Sequence, residues 1–257
     1  MTLSRHWVAD QLGRQVEISS LPRRIISLVP SQTELLYDLG LTTEVVGITK
    51  FCVHPDEWFR SKTRVGGTKQ VHLDIVRSLQ PDLIIANKEE NDAAQVMALM
   101  AEFPVWVSDI HDLTQAQEMI ETVGSLTGKA AQAAGINKKI TEGFNELRGI
   151  RKKAAYFIWR EPWMVAGGDT FIHDMMQRCG LENVFGGELR YPEVDITQLP
   201  DCELVLLSSE PYPFRDKHIA ELKRYLPGAD VRLVDGEMFS WYGSRLMYAF
   251  RYFMEML

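Results

Sequence analysis

The sequence predicts an α/β protein built from two Rossmann-like lobes, each with a mostly parallel sheet, joined by one long helix. Short apolar runs bounded by breakers, such as residues 24–29 before Pro30, are typical of strands buried on both faces. These runs alternate with helical segments, which is typical of doubly wound sheets. Between two such alternations, residues 113–149 contain no proline and no strand-like run, which favours a helical connector.

The composition fits a globular protein with enough apolar residues for two cores. The chain has 257 residues, 46% of them hydrophobic, and a formal net charge of −7. A nucleic-acid-binding protein usually has a basic face, so this charge disfavours a nucleic-acid partner. The three cysteines, Cys52, Cys179 and Cys202, are odd in number and widely spaced, which predicts reduced thiols and neither a disulfide framework nor a zinc clamp.

The sequence predicts no membrane insertion, because no apolar run approaches the roughly 20 residues of a membrane-spanning helix. The first ten residues also lack the apolar stretch and cleavage site of a secretory signal. We therefore expect a cytoplasmic protein if Met1 is the native start, and a periplasmic one if the chain is a mature form.

The first part of the chain is predicted as an N-terminal hairpin arm (1–21) followed by an α/β lobe (22–112). In this lobe Ser31 is predicted to cap a helix over 33–39, with Glu34 completing a capping box. The remaining expectations are strands over 24–29, 45–48, 82–86 and 105–107, and helices over 73–79 and 91–101.

The second part is predicted as a helical connector (113–150) followed by a C-terminal α/β lobe (151–257). The connector is expected to hold helices over 113–126 and 129–148. The lobe is expected to hold strands over 154–159, 204–207 and 231–234, helices over 170–179 and 217–225, and a last helix opened by Ser240 or Ser244.

Aromatic and charged side chains are concentrated in the loops that follow the predicted strands. Ligands of parallel sheets bind at these strand ends, and aromatic walls with a few polar groups are typical of small-molecule sites. The alternatives are that Trp241 is a core aromatic at a helix start, that Arg245 caps or pairs within the last helix, and that the loops bind nothing. The candidate ligand contacts in these loops are Phe51, Asn87, Lys88, Glu89, Trp163, Trp241, Tyr242 and Arg245.

The sequence predicts no enzyme, because it contains no GxSxG, GxxxxGK[ST] or HExxH motif. Cys52 and His54 provide only two potential metal donors, whereas a closed zinc site needs four. The alternative is that Cys52 is a packing residue and that His54 is a turn residue before Pro55. An enzyme or metal-dependent regulator that uses Cys52, His54 and the Glu89–Glu90 pair remains a competing hypothesis.

Four segments, spread in order over nearly the whole chain, resemble the substrate-binding proteins of vitamin B12 and iron-siderophore ABC importers, whose two lobes are joined by a helical backbone. The pattern is most similar to that of the vitamin B12-binding members. The segments are Asp10-x-Leu12-Gly13-Arg14-x-Val16, the run from Arg24 to Glu34, Val65-Gly66-Gly67 with the run from Leu73 to Ile84, and Gly167-Gly168 with the run from Cys179 to Phe185.

The resemblance implies a ligand cleft between the two lobes, held by a rigid helix near 129–148. It also implies no intrinsic cofactor, a small-molecule ligand that is a corrinoid (cobalamin) or a ferric chelate, an ABC permease as partner, and a monomer. Two pocket aromatics of the vitamin B12-binding members match Phe51 and Trp163, and a third matches Tyr191, whose alternative is an extended linker residue. Two of their tryptophans fall at Thr68 and Asn87, next to the charged residues 88–91.

The same resemblance implies one acidic residue on each lobe for docking onto the permease. The first position matches Asp74, whereas the second matches the uncharged Thr197. The alternatives to corrinoid uptake are therefore an iron-siderophore or haem-binding protein of the same family, and a cytoplasmic corrinoid- or metal-binding relative that takes no part in transport.

Overall fold

Five parallel strands form the first sheet of the protein, whose computed structural model describes residues 5–19 and 21–257. Their order is β5-β4-β3-β6-β7, so that the chain runs outward from β3 on one side and then returns to its other side. A parallel sheet of this order has a switch point between β3 and β6, where crevices for ligands form. The strands are β3 (Ile25–Ser27), β4 (Val45–Ile48), β5 (Thr63–Arg64), β6 (Leu83–Asn87) and β7 (Val105–Ser108).

Of the helices that connect these strands, the one over Asp56–Ser61 is not predicted from the sequence, and the first starts at a different residue from the one predicted. Val29 is the N-cap of the first helix, Pro30 occupies its first turn, and no side chain caps it. The predicted capping box of Ser31 and Glu34 is therefore wrong. A cap at Ser31 would make Gln32 the first helical residue, whereas the helix begins two residues earlier, at Pro30, because proline is favoured at the first helical position. The helices are α1 (Pro30–Asp38), α2 (Asp56–Ser61), α3 (Leu73–Leu79) and α4 (Ala93–Met100).

The N-terminal arm is an antiparallel hairpin of β1 (Arg5–Ala9) and β2 (Gln15–Ser19), as predicted. Its turn places Gly13 at a φ of 77°, a conformation that favours glycine. The predicted arm also includes residues 1–4 and 20, which lie outside the described residues.

Two consecutive helices, α5 (Leu113–Leu126) and α6 (Ala130–Glu146), follow the first sheet. The first has the bounds that the sequence predicts, and the second is shorter than predicted by one residue at its start and two at its end. Gly128, between them, has a φ of 70° and ends α5 in the way common for a glycine after a helix.

The second sheet has the order β10-β8-β11-β12, with all three pairs parallel. A two-residue strand, β9, pairs antiparallel with β8. The strands are β8 (Lys152–Trp159), β9 (Met164–Val165), β10 (Leu181–Asn183), β11 (Leu204–Ser208) and β12 (Asp230–Val234). The sequence predicts β8, β11 and β12 but neither β9 nor β10, which are too short to leave a pattern.

The last helix differs from its predicted start. Ser240 ends one helix, and the next begins at Leu246, so neither Ser240 nor Ser244 opens it. Thr170, by contrast, caps its helix by accepting the backbone N–H of His173 at 3.2 Å. The helices of this part are α7 (Phe171–Arg178), α8 (Asp216–Leu222), α9 (Gly236–Ser240) and α10 (Leu246–Met256).

The chain divides into two compact units, each with one of the two parallel sheets. Membership changes within α6, between Lys139 and Ile140, and Tyr242–Arg245 belongs to the first unit although both neighbours belong to the second. The first unit holds the described residues up to Ile110, Thr114–Lys139 and Tyr242–Arg245; the second holds His111–Leu113, Ile140–Trp241 and Leu246–Leu257. The predicted α/β class with two mostly parallel sheets is confirmed, whereas the boundaries predicted at 22, 113 and 151 stay predictions.

Among residues 5–19 and 21–257, no helix combines the length and the apolar composition needed to cross a bilayer.

Candidate functional site

In the first unit, Asn87 organises the loop at the carboxyl end of β6, next to the switch point. Its side-chain amide donates to the backbone oxygen of Ser108 at 3.2 Å and to its hydroxyl at 3.0 Å. Its side-chain oxygen accepts the backbone N–H groups of Glu89 and Glu90 at 2.8 and 3.0 Å. Asn87 is buried, so the structure assigns it a role in shaping the loop, and its ligand contact stays a prediction.

The Tyr242 side chain is buried and donates its phenol proton to Oε1 of Glu90 at 2.5 Å. Burial, and next the negative charge of Glu90, raise the pKa of Tyr242 well above its ordinary value. The phenol therefore keeps its proton, and Glu90 is the acceptor. The predicted stacking role of Tyr242 is not tested by this contact, which shows instead that its hydroxyl is engaged within the first unit.

Arg245 forms a two-pronged ion pair with Glu34 on α1, through Nε at 2.9 Å and one terminal nitrogen at 2.7 Å. The two side chains are only 13% and 16% exposed. Burial raises the pKa of the Glu34 carboxyl, and the hydrogen bond from Arg245 acts in the opposite direction. This partner lies on α1, whereas the alternative expected from sequence was that Arg245 caps or pairs within the last helix.

The other candidates of the first unit are exposed, except for the half-buried Glu89. Phe51 follows β4, is 51% exposed, and has Nζ of Lys50 at 5.1 Å from its ring centre. Lys88 makes an ion pair with Asp109 at 2.6 Å. The backbone oxygen of Glu89 accepts a hydrogen bond from Lys69 at 2.6 Å. Lys88 and Glu89 directly follow Asn87 in the loop after β6.

In the second unit, Trp163 belongs to an aromatic cluster beside the carboxyl ends of β8 and β11. It stacks on Phe214 with ring centres 5.8 Å apart and meets Phe157 edge-on at 5.5 Å. The guanidinium of Arg160 lies 5.5 Å from the centre of the Trp163 ring. Trp163 is half-buried, so part of its surface remains accessible to a ligand.

Sequence reasoning left Trp159 out of the candidate set, although it ends β8 and is exposed. Its ring lies 5.7 Å from that of Tyr212, which in turn lies 4.8 Å from Phe214. The sequence does contain a signal for Trp159, because the strand predicted over 154–159 ends on this tryptophan, directly before the loop with Trp163.

Trp241 and Tyr191 have different environments in the second unit. Trp241 is buried and donates its indole N–H to the Glu210 carboxylate at 2.9 Å, which supports its alternative role as a core aromatic. Tyr191 is half-buried, with the guanidinium of Arg190 at 5.6 Å from its ring centre. The ligand roles of both residues stay predictions.

The Cys52–His54 pair gains no support as a metal site. Cys52 is buried, and its sulfur lies 3.1 Å from the hydroxyls of both Thr33 and Thr49. In the part of the chain that the structure describes, no group of three or more His, Cys, Asp or Glu side chains is placed to hold a metal ion. Cys52 is thus held as a hydrogen-bonded packing residue.

The three thiols are expected to react slowly with a disulfide reagent such as Ellman's reagent while the protein is folded. Burial raises the pKa of all three, to about 11 for Cys202 and about 12 for Cys179, and the thiolate is the reactive form. Because only Cys202 is half-buried, it should react first, and Cys202→Ser should remove this first phase. Rapid labelling of Cys52 in the folded Cys202→Ser variant would contradict the described packing.

Comparison with known proteins decides the family. Residues 25–196, which include the first sheet, α5, α6 and most of the aromatic cluster, match the family model described as periplasmic binding protein. The chain belongs to the periplasmic binding protein family.

Curated relatives of this periplasmic binding protein include two with informative names. An uncharacterized ABC transporter substrate-binding lipoprotein of Bacillus subtilis is 29% identical over 192 residues, which are 68% of this chain and 60% of the relative. A vitamin B12-binding protein of Vibrio campbellii is 27% identical over 213 residues, covering 80% of this chain and 77% of the relative. The match thus spans less than two thirds of the Bacillus lipoprotein.

Solved structures share the fold of this periplasmic binding protein. The periplasmic vitamin B12-binding protein of Vibrio cholerae has a TM-score of 0.71 at 18% identity, covering 91% of this chain and 97% of its own. A periplasmic haem-binding protein of Vibrio cholerae has a TM-score of 0.74 at 18% identity, covering 93% and 99%. At such identities the likeness concerns the fold alone.

The two positions expected to dock a permease lie on the surface of this periplasmic binding protein. Asp74 is 96% exposed at its side chain and lies 2.9 Å from Arg77. Thr197 is exposed and donates its backbone N–H and its hydroxyl to Asp195 at 2.9 and 2.7 Å. The uncharged position therefore has a carboxylate as its immediate neighbour.

Proposed function

We propose that this chain is a non-enzymatic substrate-binding protein of an ABC importer and that its ligand is a cobalamin-like corrinoid. Membership of the periplasmic binding protein family supports the binding role. The names of the Bacillus and Vibrio relatives, an ABC transporter substrate-binding lipoprotein and a vitamin B12-binding protein, support the importer and the corrinoid respectively.

The single observation that supports a flat ligand best is the aromatic cluster of the second unit. Trp159 and Trp163, at the strand ends, present partly exposed rings that are held by Tyr212 and Phe214 behind them. Rigid aromatic side chains bind flat apolar faces at low entropic cost. A corrin ring has such faces, and its rim of primary amides suits the polar groups of the strand-end loops.

A corrinoid brings its metal within the ligand, so the protein needs to hold only the ring and its rim. Haem iron in proteins is usually held by an axial His, Cys, Met or Tyr side chain. Of the side chains discussed above, Cys52 and the phenol of Tyr242 are buried and hydrogen-bonded, which makes both poor axial ligands. His54 and Tyr191 are half-buried, and for that reason haem is the second candidate.

Titration of the purified protein with cyanocobalamin, cobinamide, haem and a ferric siderophore tests this proposal. Calorimetry or absorbance should give a dissociation constant in the micromolar range or tighter for at least one corrinoid. A micromolar constant corresponds to a binding free energy of about −8 kcal/mol. Saturable binding of haem alone, or of the ferric siderophore alone, would replace the corrinoid by that ligand. The absence of binding to all four would overturn the tetrapyrrole and chelate classes together.

Trp163→Ala is expected to weaken corrinoid binding by about 1–3 kcal/mol, because an aromatic wall is removed from the ligand. The same change removes contacts with Phe157 and Phe214, so the matched control is Trp163→Phe, which keeps a ring in that place. Calorimetry should show most of the affinity retained in the control. A folded Trp163→Ala variant that binds as tightly as the parent would refute this placement.

We also propose that Asp74 contacts the permease, and that Asp195 provides the second carboxylate in place of Thr197. Asp74→Asn and Asp195→Asn should each lower uptake in cells that depend on this protein, with the ligand dissociation constant unchanged, because exposed charges act on docking. Glu57, exposed on α2, offers a control position of equal charge. Normal uptake in cells with the double variant Asp74→Asn/Asp195→Asn would contradict the docking proposal.

A further inference from the structure

His218, on α8, is buried against the aromatic cluster of the second unit. Its ring makes T-shaped contacts with two members of that cluster, with ring centres 5.5 Å from Tyr212 and 5.3 Å from Phe214. Tyr212 in turn contacts Trp159, and Phe214 stacks on Trp163. All five residues belong to the second unit. His218 thus touches both of the rings that support the two partly exposed tryptophans.

The start of α8 fixes the position of the proton on the His218 ring. The backbone N–H of Arg215, the N-cap of α8, donates to Nδ1 of His218 at 2.8 Å. Nδ1 is therefore an acceptor, and the proton of the neutral ring lies on Nε2. Nε2 lies 3.4 Å from the hydroxyl of Tyr212, to which it donates. One imidazole ring thereby links the start of the helix to the aromatic cluster.

The same helix holds a cation beside the cluster. Glu221, three residues after His218 on α8, accepts two hydrogen bonds from the guanidinium of Arg160, at 3.1 and 3.2 Å. That guanidinium lies 5.5 Å from the centre of the Trp163 ring. α8 therefore supports both halves of the cluster, one through His218 and the other through Glu221.

The surroundings of His218 keep its ring uncharged at neutral pH. Burial lowers its pKa, and the positive charges of Lys217 and Arg160 lower it further, whereas the negative charge of Glu221 acts in the opposite direction. A second proton would lie on Nδ1 and face the backbone N–H of Arg215, so two donors would meet and the hydrogen bond at the start of α8 would be lost. Protonation is therefore expected to loosen the contact of His218 with the cluster.

We infer that His218 is a positioning residue of the proposed ligand site, which in its neutral form holds Tyr212 and the aromatic cluster in the conformation that binds the ring of the ligand. This inference rests on the proposed function and adds a residue that acts through its neighbours. A rigid wall binds a flat ring more tightly, because less conformational freedom is lost on binding. Ligand affinity should therefore fall when His218 loses its hydrogen bonds, whether by substitution or by protonation.

A double-mutant cycle on cyanocobalamin binding at about pH 7.5 tests whether His218 acts through Tyr212. Tyr212→Phe and His218→Phe each keep a ring and delete the hydrogen bond between the two side chains, so each should raise the dissociation constant about three- to tenfold in calorimetry. The double variant should bind about as well as the weaker-binding single variant, because both changes delete the same bond. If the two effects multiplied in the double variant, or if neither single change altered the dissociation constant, the inference would be overturned.

The pH dependence of the same dissociation constant tests the role of the proton, which a merely structural residue does not have. Binding by the parent should weaken as the pH falls from about 7.5 through the midpoint of the His218 ring, measured by NMR. His218→Gln keeps an acceptor for the N–H of Arg215 and does not titrate, so it should lack this dependence. His173→Gln is the matched control on α7 and should behave as the parent, because burial also lowers the pKa of His173 but its ring contacts Asn183 instead.

The outcomes separate this inference from the proposed function. Parent affinity that stays constant through the His218 midpoint, or a His218→Gln variant that keeps the full pH dependence, would overturn the positioning role and leave corrinoid binding intact. The absence of cyanocobalamin binding at every pH would count against the proposed function itself.

Discussion

Replacing Arg245 by methionine is expected to lower the free energy of unfolding by about 2–4 kcal/mol, because it leaves the Glu34 carboxylate buried without its partner. The two side chains are only 13% and 16% exposed, so water replaces the lost bonds poorly. Urea unfolding followed by circular dichroism measures the loss. The double variant Glu34→Gln/Arg245→Met should recover most of it, because no unpaired charge is then left.

The loss in Arg245→Met should depend on pH. Burial already raises the pKa of Glu34, and removal of the opposing hydrogen bond from Arg245 raises it further. A carboxyl whose pKa is raised in the folded state stabilises that state in its protonated form, so the variant regains stability as the pH falls and loses it as the pH rises. The difference from the parent should therefore be larger near about pH 8 than near about pH 5; the opposite trend would contradict a buried, charged Glu34.

Trp106→Ala is expected to lower the free energy of unfolding by about 3–5 kcal/mol, the range for removal of a buried aromatic side chain. Trp106 is 0% exposed on β7, and its indole donates to the backbone oxygen of Ala9 at 3.2 Å. The change would thus open a cavity in the first unit and loosen the N-terminal hairpin. Urea unfolding of the variant measures the effect.

Trp106→Phe is the matched control for this prediction. It keeps most of the apolar volume but loses the hydrogen bond to Ala9. The lost bond should lower the free energy of unfolding by about 1 kcal/mol, and the smaller ring should lower it somewhat further. If Trp106→Ala unfolded at the same urea concentration as the parent, the described packing of β7 would be wrong.

The elements that the sequence predicts well are those with a long or sharply bounded pattern. The amphipathic helix α5 has its predicted bounds, Leu113–Leu126, and β4 has its predicted bounds, Val45–Ile48. The two-residue strands β5 and β9 and the five-residue helix α9 were missed because they are too short for a helix or strand period and no continuous apolar run marks them. The capping box at Ser31 failed because Pro30 enters the first turn of α1, a conflict between two local rules that spacing alone does not resolve.

The candidate site was harder to predict than the fold, because its side chains meet across long stretches of sequence. Arg245 and Glu34 are 211 positions apart, and Tyr242 and Glu90 are 152 apart. Residue type and position after a strand were enough to select Arg245 and Tyr242 as notable. Only the structure shows that both are engaged by carboxylates of the first unit, and that their partners are Glu34 and Glu90.

The most direct measurement of the central claim is a crystal structure of the protein with cobinamide, in which anomalous scattering locates the cobalt. We expect one cobalt peak, with the corrin ring in contact with Trp163. A cobalt peak remote from the carboxyl ends of the strands, or no peak in crystals grown at saturating cobinamide, would contradict the account.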